Sequence, residues 1–256
     1  MNAVAAGFRL QLAVMRRTPA QLLVLLTTPL FSSMFLAIAV HSGNRSILTD
    51  AVFAPALMSL WMLAVGLGGG IIGGDRWAGV LELLLVAPTP LLWTVVGRIA
   101  ATTSLAALSL VESLLVARLG FGVSLTVHHP LLLVGTLLVT LFALVGTAAM
   151  FAGLFVLSRA VLLFQNALTY PFYILGGVLV PLSYLPSWLH PVSKLVFLSW
   201  AGDLLRDCVD RAGPVDGWPW RLLAVAGLGV AALAAGTVLI NRISARVRRT
   251  GSAAVA

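Results

Sequence analysis

Six apolar stretches, each about as long as a bilayer is thick, constrain this chain more than anything else in it. They cover residues 20–40, 51–72, 91–116, 131–157, 160–182 and 222–240. A hydrocarbon core about 30 Å thick takes roughly 20 residues of helix. Lipid offers no partner to an unpaired backbone group, so each stretch has to satisfy its own backbone as a helix. With 60% of the 256 residues hydrophobic and 9% charged, the composition lies far from that of a soluble domain, where about a quarter of residues carry charge. The expected fold is an all-α membrane protein: six transmembrane helices in one domain over 1–256. The first stretch is read as a span rather than a cleaved leader, because it is long, lacks a small-residue cleavage site and is followed by five more.

Orientation follows from the basic residues. With a cytoplasmic N-terminus, ten arginines (Arg9, Arg16, Arg17, Arg76, Arg98, Arg159, Arg242, Arg246, Arg248 and Arg249) fall inside against Asp75 and Glu82. The outside then holds six basic and six acidic residues, so the whole net charge of +8 is cytoplasmic. Both termini are expected in the cytoplasm, in a bacterial plasma membrane. Arginines at helix ends suit anionic headgroups, whereas nucleic-acid binding needs a clustered basic patch on a soluble surface, so no nucleic acid is expected as a partner. The lone Cys208 excludes an internal disulfide.

Four pieces lie outside the spans. Residues 1–19 carry Phe8, Leu12 and Met15 at helical spacing with Arg9, Arg16 and Arg17, which reads as an interfacial helix on the inner leaflet. It serves either as an anchor or as a lever toward a cytoplasmic partner. Residues 183–221 form an outer re-entrant region with short helices, and 241–256 a basic cytoplasmic tail. The fourth piece, 74–90, is short, charged and then apolar. Asp75 is placed to cap a helix, Gly79 to permit close backbone approach, and Pro88 with Pro90 to stop the helix, which gives about three turns. Leu81, Leu83, Leu84, Leu85 and Val86 offer more apolar surface than a solvated turn tolerates. The glycines before it, Gly66, Gly68, Gly69, Gly70, Gly73 and Gly74, read as close helix packing or as a flexible joint.

The pattern acidic-Arg-x-x-Gly-x-Leu-Glu-x-Leu-Leu-x-x-Pro after the second of six spans resembles the coupling helix of ABC-2 type transporter permeases, including the daunorubicin-resistance-like exporters. Asp75, Arg76, Gly79, Leu81, Glu82, Leu84, Leu85 and Pro88 occupy the matching positions. The family often has Thr where this chain has Val80 and a charged residue where it has Trp77. Pro181 to Leu189, bracketed by Pro181 and Pro186, resembles the family's turn after the fifth span. Ser199 to Arg206 resembles the helix that follows it, and the family's usual Asn-Pro before that helix is replaced by Val196 and Phe197. The resemblance implies a permease subunit that pairs with a second copy or a related paralogue. It implies docking of ATP-binding subunits through the coupling helices, with ATP and Mg on those subunits, and export of an amphiphile such as a drug, lipid or glycan.

The residues themselves agree that an energy source lies elsewhere. A phosphate-cradling loop needs Gly-x-x-x-x-Gly-Lys-Ser/Thr, and the only lysine, Lys194, sits between Ser193 and Leu195. Neither a Gly-x-Ser-x-Gly elbow nor a His-Glu-x-x-His motif is present, so no catalytic residue, cofactor or metal ligand is assigned.

Glu112 lies within the third span near its outer end. A carboxylate there is costly in lipid, so it either sits at the hydrated outer interface or lines a translocation path; a proton- or ion-coupled carrier would also use such a group. Pro181, Pro186, Trp200, Asp203 and Arg206 are the further candidates for an outer gate. Asp203, Asp207 and Asp210 share one helical face, which suits a hard cation. The interleaved Arg206 and Arg211 favour a solvated face instead. Adjacent His128 and His129 project differently and are poorly arranged to chelate.

Overall fold

The computed structural model describes residues 2–18, 23–43, 47–86, 91–156, 161–179, 182 and 185–250. Every regular element among them is helical. The chain runs through α1 (Ala3–Arg17), α2 (Leu23–His41), α3 (Leu48–Trp61), α4 (Ile71–Trp77), α5 (Leu81–Val86), α6 (Leu91–Ala106), α7 (Leu108–Leu115), α8 (Pro130–Val156), α9 (Val161–Leu175), α10 (His190–Ser193), α11 (Phe197–Asp210) and α12 (Trp218–Thr250). Between α3 and α4 the helix widens into a π segment, Met62–Gly68, and α7 ends in another, Val116–Gly120.

Among the described residues four stretches are long and apolar enough to cross a membrane: Leu48–Trp77, Leu91–Gly120, Pro130–Phe155 and Trp218–Ile243. They correspond to the second, third, fourth and sixth expected spans. The first expected span corresponds to α2, a shorter apolar helix with Pro29 inside it. The fifth, expected over 160–182, corresponds to α9 and is only 15 residues long. Its apolar sequence continues, but the helix ends at Gly176-Gly177. Gly177 adopts φ +63°, and the Gly177 and Val178 amides donate back to the Ile174 and Tyr173 carbonyls. That is a Schellman end, which a residue with a Cβ disfavours. The tail expected over 241–256 continues as helix as far as Thr250.

The core is built on α3, α6, α8 and α11. Trp61 stacks on Phe172 at 4.6 Å and meets Phe151 edge-on at 6.1 Å. Around this aromatic centre Phe53, Leu57, Leu63, Ile99, Leu144 and Leu198 are fully buried. The pairing of α8 with α12 is close at backbone level: a Cβ on Gly146 would strike the Gly229 carbonyl, and one on Gly236 the Ala149–Met150 peptide. Small residues at such crossings let membrane helices pack without a water-driven hydrophobic effect.

Candidate coupling site

The expected single helix over 74–90 is two pieces. α4 ends after Trp77, and α5 begins at Leu81. Asp75 does not cap a helix start; it lies inside α4. Between the pieces Gly79 takes φ +67°, with its amide donating to the Arg76 carbonyl (3.1 Å) and the Val80 amide to the Asp75 carbonyl (2.9 Å). This is again a Schellman end. A Cβ on Gly79 would meet nothing within 4 Å, so its purpose is the left-handed turn and not the close approach that was expected. Gly73 and Gly74 also have open space around them, whereas Gly68 packs on Ile99 and Thr102 and Gly69 on Phe151 and Phe155. The glycine cluster thus divides into a packed half inside the bundle and an open half at the turn.

Three elements converge on Arg98 of α6. Its Nη1 donates to Asp75 Oδ2 at 2.5 Å, and its Nε to Gln11 Oε1 of α1 at 3.0 Å. The Arg98 and Asp75 side chains are only 8% and 13% exposed. Burial of an ion pair is tolerable only when the charges meet each other and further hydrogen bonds, and Gln11 supplies the extra acceptor. α1 is pressed against α6 at two glycines: a Cβ on Gly7 would collide with the Thr94 carbonyl, and one on Gly97 with the Val4 carbonyl. The contacts run in opposite order, so the helices are antiparallel. The buried face of α1 is accordingly Gly7, Gln11 and Met15, one position round from the expected Phe8–Leu12–Met15 stripe. Beside the junction lies a cavity of about 510 Å³, lined by Gln11, Leu67, Ile71, Asp75, Leu84 and Arg98 among others.

The apolar residues of the segment split in direction. Leu81 is buried in the chain's own core and Leu84 is half-buried against the cavity. Trp77 and Leu83 point outward, at 93% and 72% exposure. Arg76 is half-buried. The side chains of Glu82 and Leu85, and Pro88 as a whole, lie outside the described residues.

At the end of the bundle opposite Asp75, Arg206 of α11 pairs with Asp50 at the start of α3 and with Asp203, and its Nη2 donates to the Gly177 carbonyl at 2.6 Å. Burial pushes the Asp203 carboxyl above the ordinary range, against the pull of Arg206 and Arg221. Asp207 receives Arg221 at 2.5 Å and Arg211 at 2.9 Å, and Asp210 accepts from Thr49 at 2.6 Å. Asp207 and Asp210 therefore cross-link helices, to α12 and α3, while Asp203 pairs with Arg206 within α11. Among the described residues no group of three side chains could hold a metal. His128 and His129 also bind α11 and its following loop, through the Val209 and Gly213 carbonyls. Trp200 Nε1 donates to the Lys194 carbonyl at 2.9 Å. Pro186 sits exposed before the turn Ser187–Leu189, while Pro181 lies outside the described residues.

Glu112 lies eight residues before Gly120, about 12 Å below the outer end of its helix. Its carboxyl interacts with the Thr28 hydroxyl, and its Oε2 is buried without a hydrogen-bond partner. Thr28 meets Ser59 at 2.6 Å, and Ser32 donates to Ser113 at 2.9 Å, so α2, α3 and α7 share a polar seam within the membrane.

Sequence reasoning missed Arg98, Gln11 and Gln165 as working residues. For Arg98 a signal existed: it is the one charged side chain of an otherwise largely apolar helix and has to find a partner. Trp77 was noticed only as a departure from a pattern.

A bundle with four helices long and apolar enough to cross a membrane among the described residues is that of a membrane-embedded protein. The family model described as ABC-2 type transporter matches residues 3–209, and the chain belongs to that family. A search of curated protein sequences returned no match.

Proposed function

We propose that the chain is the permease subunit of an ABC exporter of the daunorubicin-resistance-like kind, with six spans and both termini in the cytoplasm of a bacterial plasma membrane. It moves an amphiphile (drug, lipid or glycan) outward. The energy comes from ATP, with Mg, on a separate ATP-binding subunit, and the permease works as a pair with a second copy or a paralogue. The observation that carries this reading is the segment Asp75 to Leu84. It presents Trp77 and Leu83 outward while Asp75 ties it through Arg98 to two other helices. A push on such a segment reaches α1 and the third span together. Arg76 and Glu82 then set the docking register, and Leu85 and Pro88 complete the coupling helix. Pro181, Pro186, Trp200, Asp203 and Arg206 belong to the outer gate.

The test is co-purification in detergent with the candidate ATP-binding subunit, wild type against a Trp77→Glu, Leu83→Glu double variant. Loss of the subunit from a correctly inserted variant supports docking there. Equal retention by both proteins overturns it.

One observation favours a second reading. The orphaned Glu112 Oε2 within the membrane suits a proton- or ion-coupled carrier. Glu112→Gln would abolish gradient-driven transport in that case, and would leave an ATP-driven exporter dependent on ATP.

A further inference from the structure

The second span changes register in mid-course. It is α-helical to Trp61, π-helical over Met62–Gly68, and α-helical again from Ile71. A π segment carries one more residue per closed ring than an α-helix, and single-turn π bulges recur at functional sites. Where the register changes, backbone carbonyls are open to further donors, and inside a membrane water does not supply them. The Met58 and Val65 carbonyls keep backbone donors, the Met62 and Gly69 amides, and side chains of α9 add to them. Tyr173 Oη donates to the Met58 carbonyl at 3.0 Å, ahead of the π segment. Gln165 Nε2 donates to the Val65 and Gly66 carbonyls at 3.1 and 2.6 Å, near its end. The two donors are eight residues apart, on one face of α9, and Phe172 between them stacks on Trp61. α9 is thus stitched to the second span at both ends of its irregular part.

We propose that Gln165 is a positioning residue that holds the second span in its π register, and so sets the angular position of the coupling segment that follows. Return of this stretch to plain α-helix removes one residue from the turn count, and everything beyond it turns by about 100°. Asp75, seven residues after Gly68, cannot then keep Arg98. The position of α9 and the orientation of the coupling segment are therefore linked, and the link is reciprocal, as any thermodynamic coupling must be. The inference concerns this chain alone and stands whether or not an ATP-binding subunit docks on it.

The test is a distance distribution from paired spin labels on cysteines at Leu10 and Trp77, in a Cys208→Ser background, with the purified chain in lipid nanodiscs. The parent gives one population. Gln165→Leu is expected to add a second, Tyr173→Phe a smaller one in the same direction, and Thr169→Val, on the same face with its hydroxyl bonded within α9, none. Distributions for Gln165→Leu and Tyr173→Phe that superimpose on the parent overturn the proposal. So does a uniform broadening shared by Thr169→Val, which is the mark of general loosening. If Gln165→Leu fails to insert, Tyr173→Phe decides alone.

Discussion

The inner and outer ends of this bundle are held together in different ways. Outside, α11 is a hub: Arg206 reaches α3 and the end of α9, Asp207 takes two arginines, Asp210 takes Thr49, and the two histidines bind the carbonyls after Cys208. At the other end, the segment around Gly79 carries, among the described residues, one ion pair, Asp75 with Arg98, and the buried Leu81, with a glycine turn in open space between them. Redundant cross-links make a rigid cap. A segment with fewer polar cross-links beside open space is the easier of the two ends to displace. The asymmetry fits the proposal that the permease is driven at the Asp75 end.

The comparison can be broken at either end. The largest effect is expected from Arg98→Leu, which strands Asp75 in a buried site. Removing one partner of such a pair costs about 3–5 kcal/mol, and the melting temperature in detergent should fall more than for any other variant here. The reversed pair, Asp75→Arg with Arg98→Asp, should recover part of that loss. A single-residue effect as large from each of Asp207→Asn and Asp210→Asn would remove the contrast, because the outer cap spreads its load over several links.

Next comes Gly97→Leu, which forces a side chain into the Val4 carbonyl. Overpacking of this kind costs about 1–3 kcal/mol. Its specific mark is release of α1, read as faster amide hydrogen exchange over residues 3–17 while the outer cap is unchanged. Gly79→Ala should cost about 1 kcal/mol, since it places a Cβ in the left-handed region without any clash. Gly73→Ala, in equally open space but with no positive φ, should be neutral in the same melting assay. Apart from that neutral control, the smallest loss is expected from His129→Gln, one exposed hydrogen bond of several to the α11 end, at under about 1 kcal/mol.

What the sequence made legible follows from period and composition. Apolar length located the bundle, but the break at 78–80 was not foreseen: Gly79 was read as lying inside one short helix, and its positive φ ends α4 there. The end of α9 was misjudged because the run Ile174 to Leu182 is apolar throughout, and only the positive φ at Gly177 stops the helix. The working side of α1 was misjudged because Gly7 and Gln11 are not hydrophobic: its burial rests on close backbone approach and on one amide meeting Arg98. Leu81 and Leu83 are alike in any hydropathy window, yet one faces the core and the other faces away, and that depends on the break at Gly79. The surroundings of Glu112 were not legible, since the Thr28 hydroxyl that meets it comes from another helix. Tertiary partners decide such positions, and a single sequence does not display them.

The central claim is that the segment around Trp77 is where an ATP-binding subunit engages. A photo-reactive benzoylphenylalanine at Trp77, irradiated in intact cells and compared with the same group at Trp188 on the outer side, which is 72% exposed, tests it most directly. The account predicts a covalent adduct at Trp77 whose mass-spectrometric sequence contains a Gly-x-x-x-x-Gly-Lys-Ser/Thr loop, and none at Trp188. Adducts at Trp77 with lipid alone, in cells that express the candidate ATP-binding subunit, would contradict it.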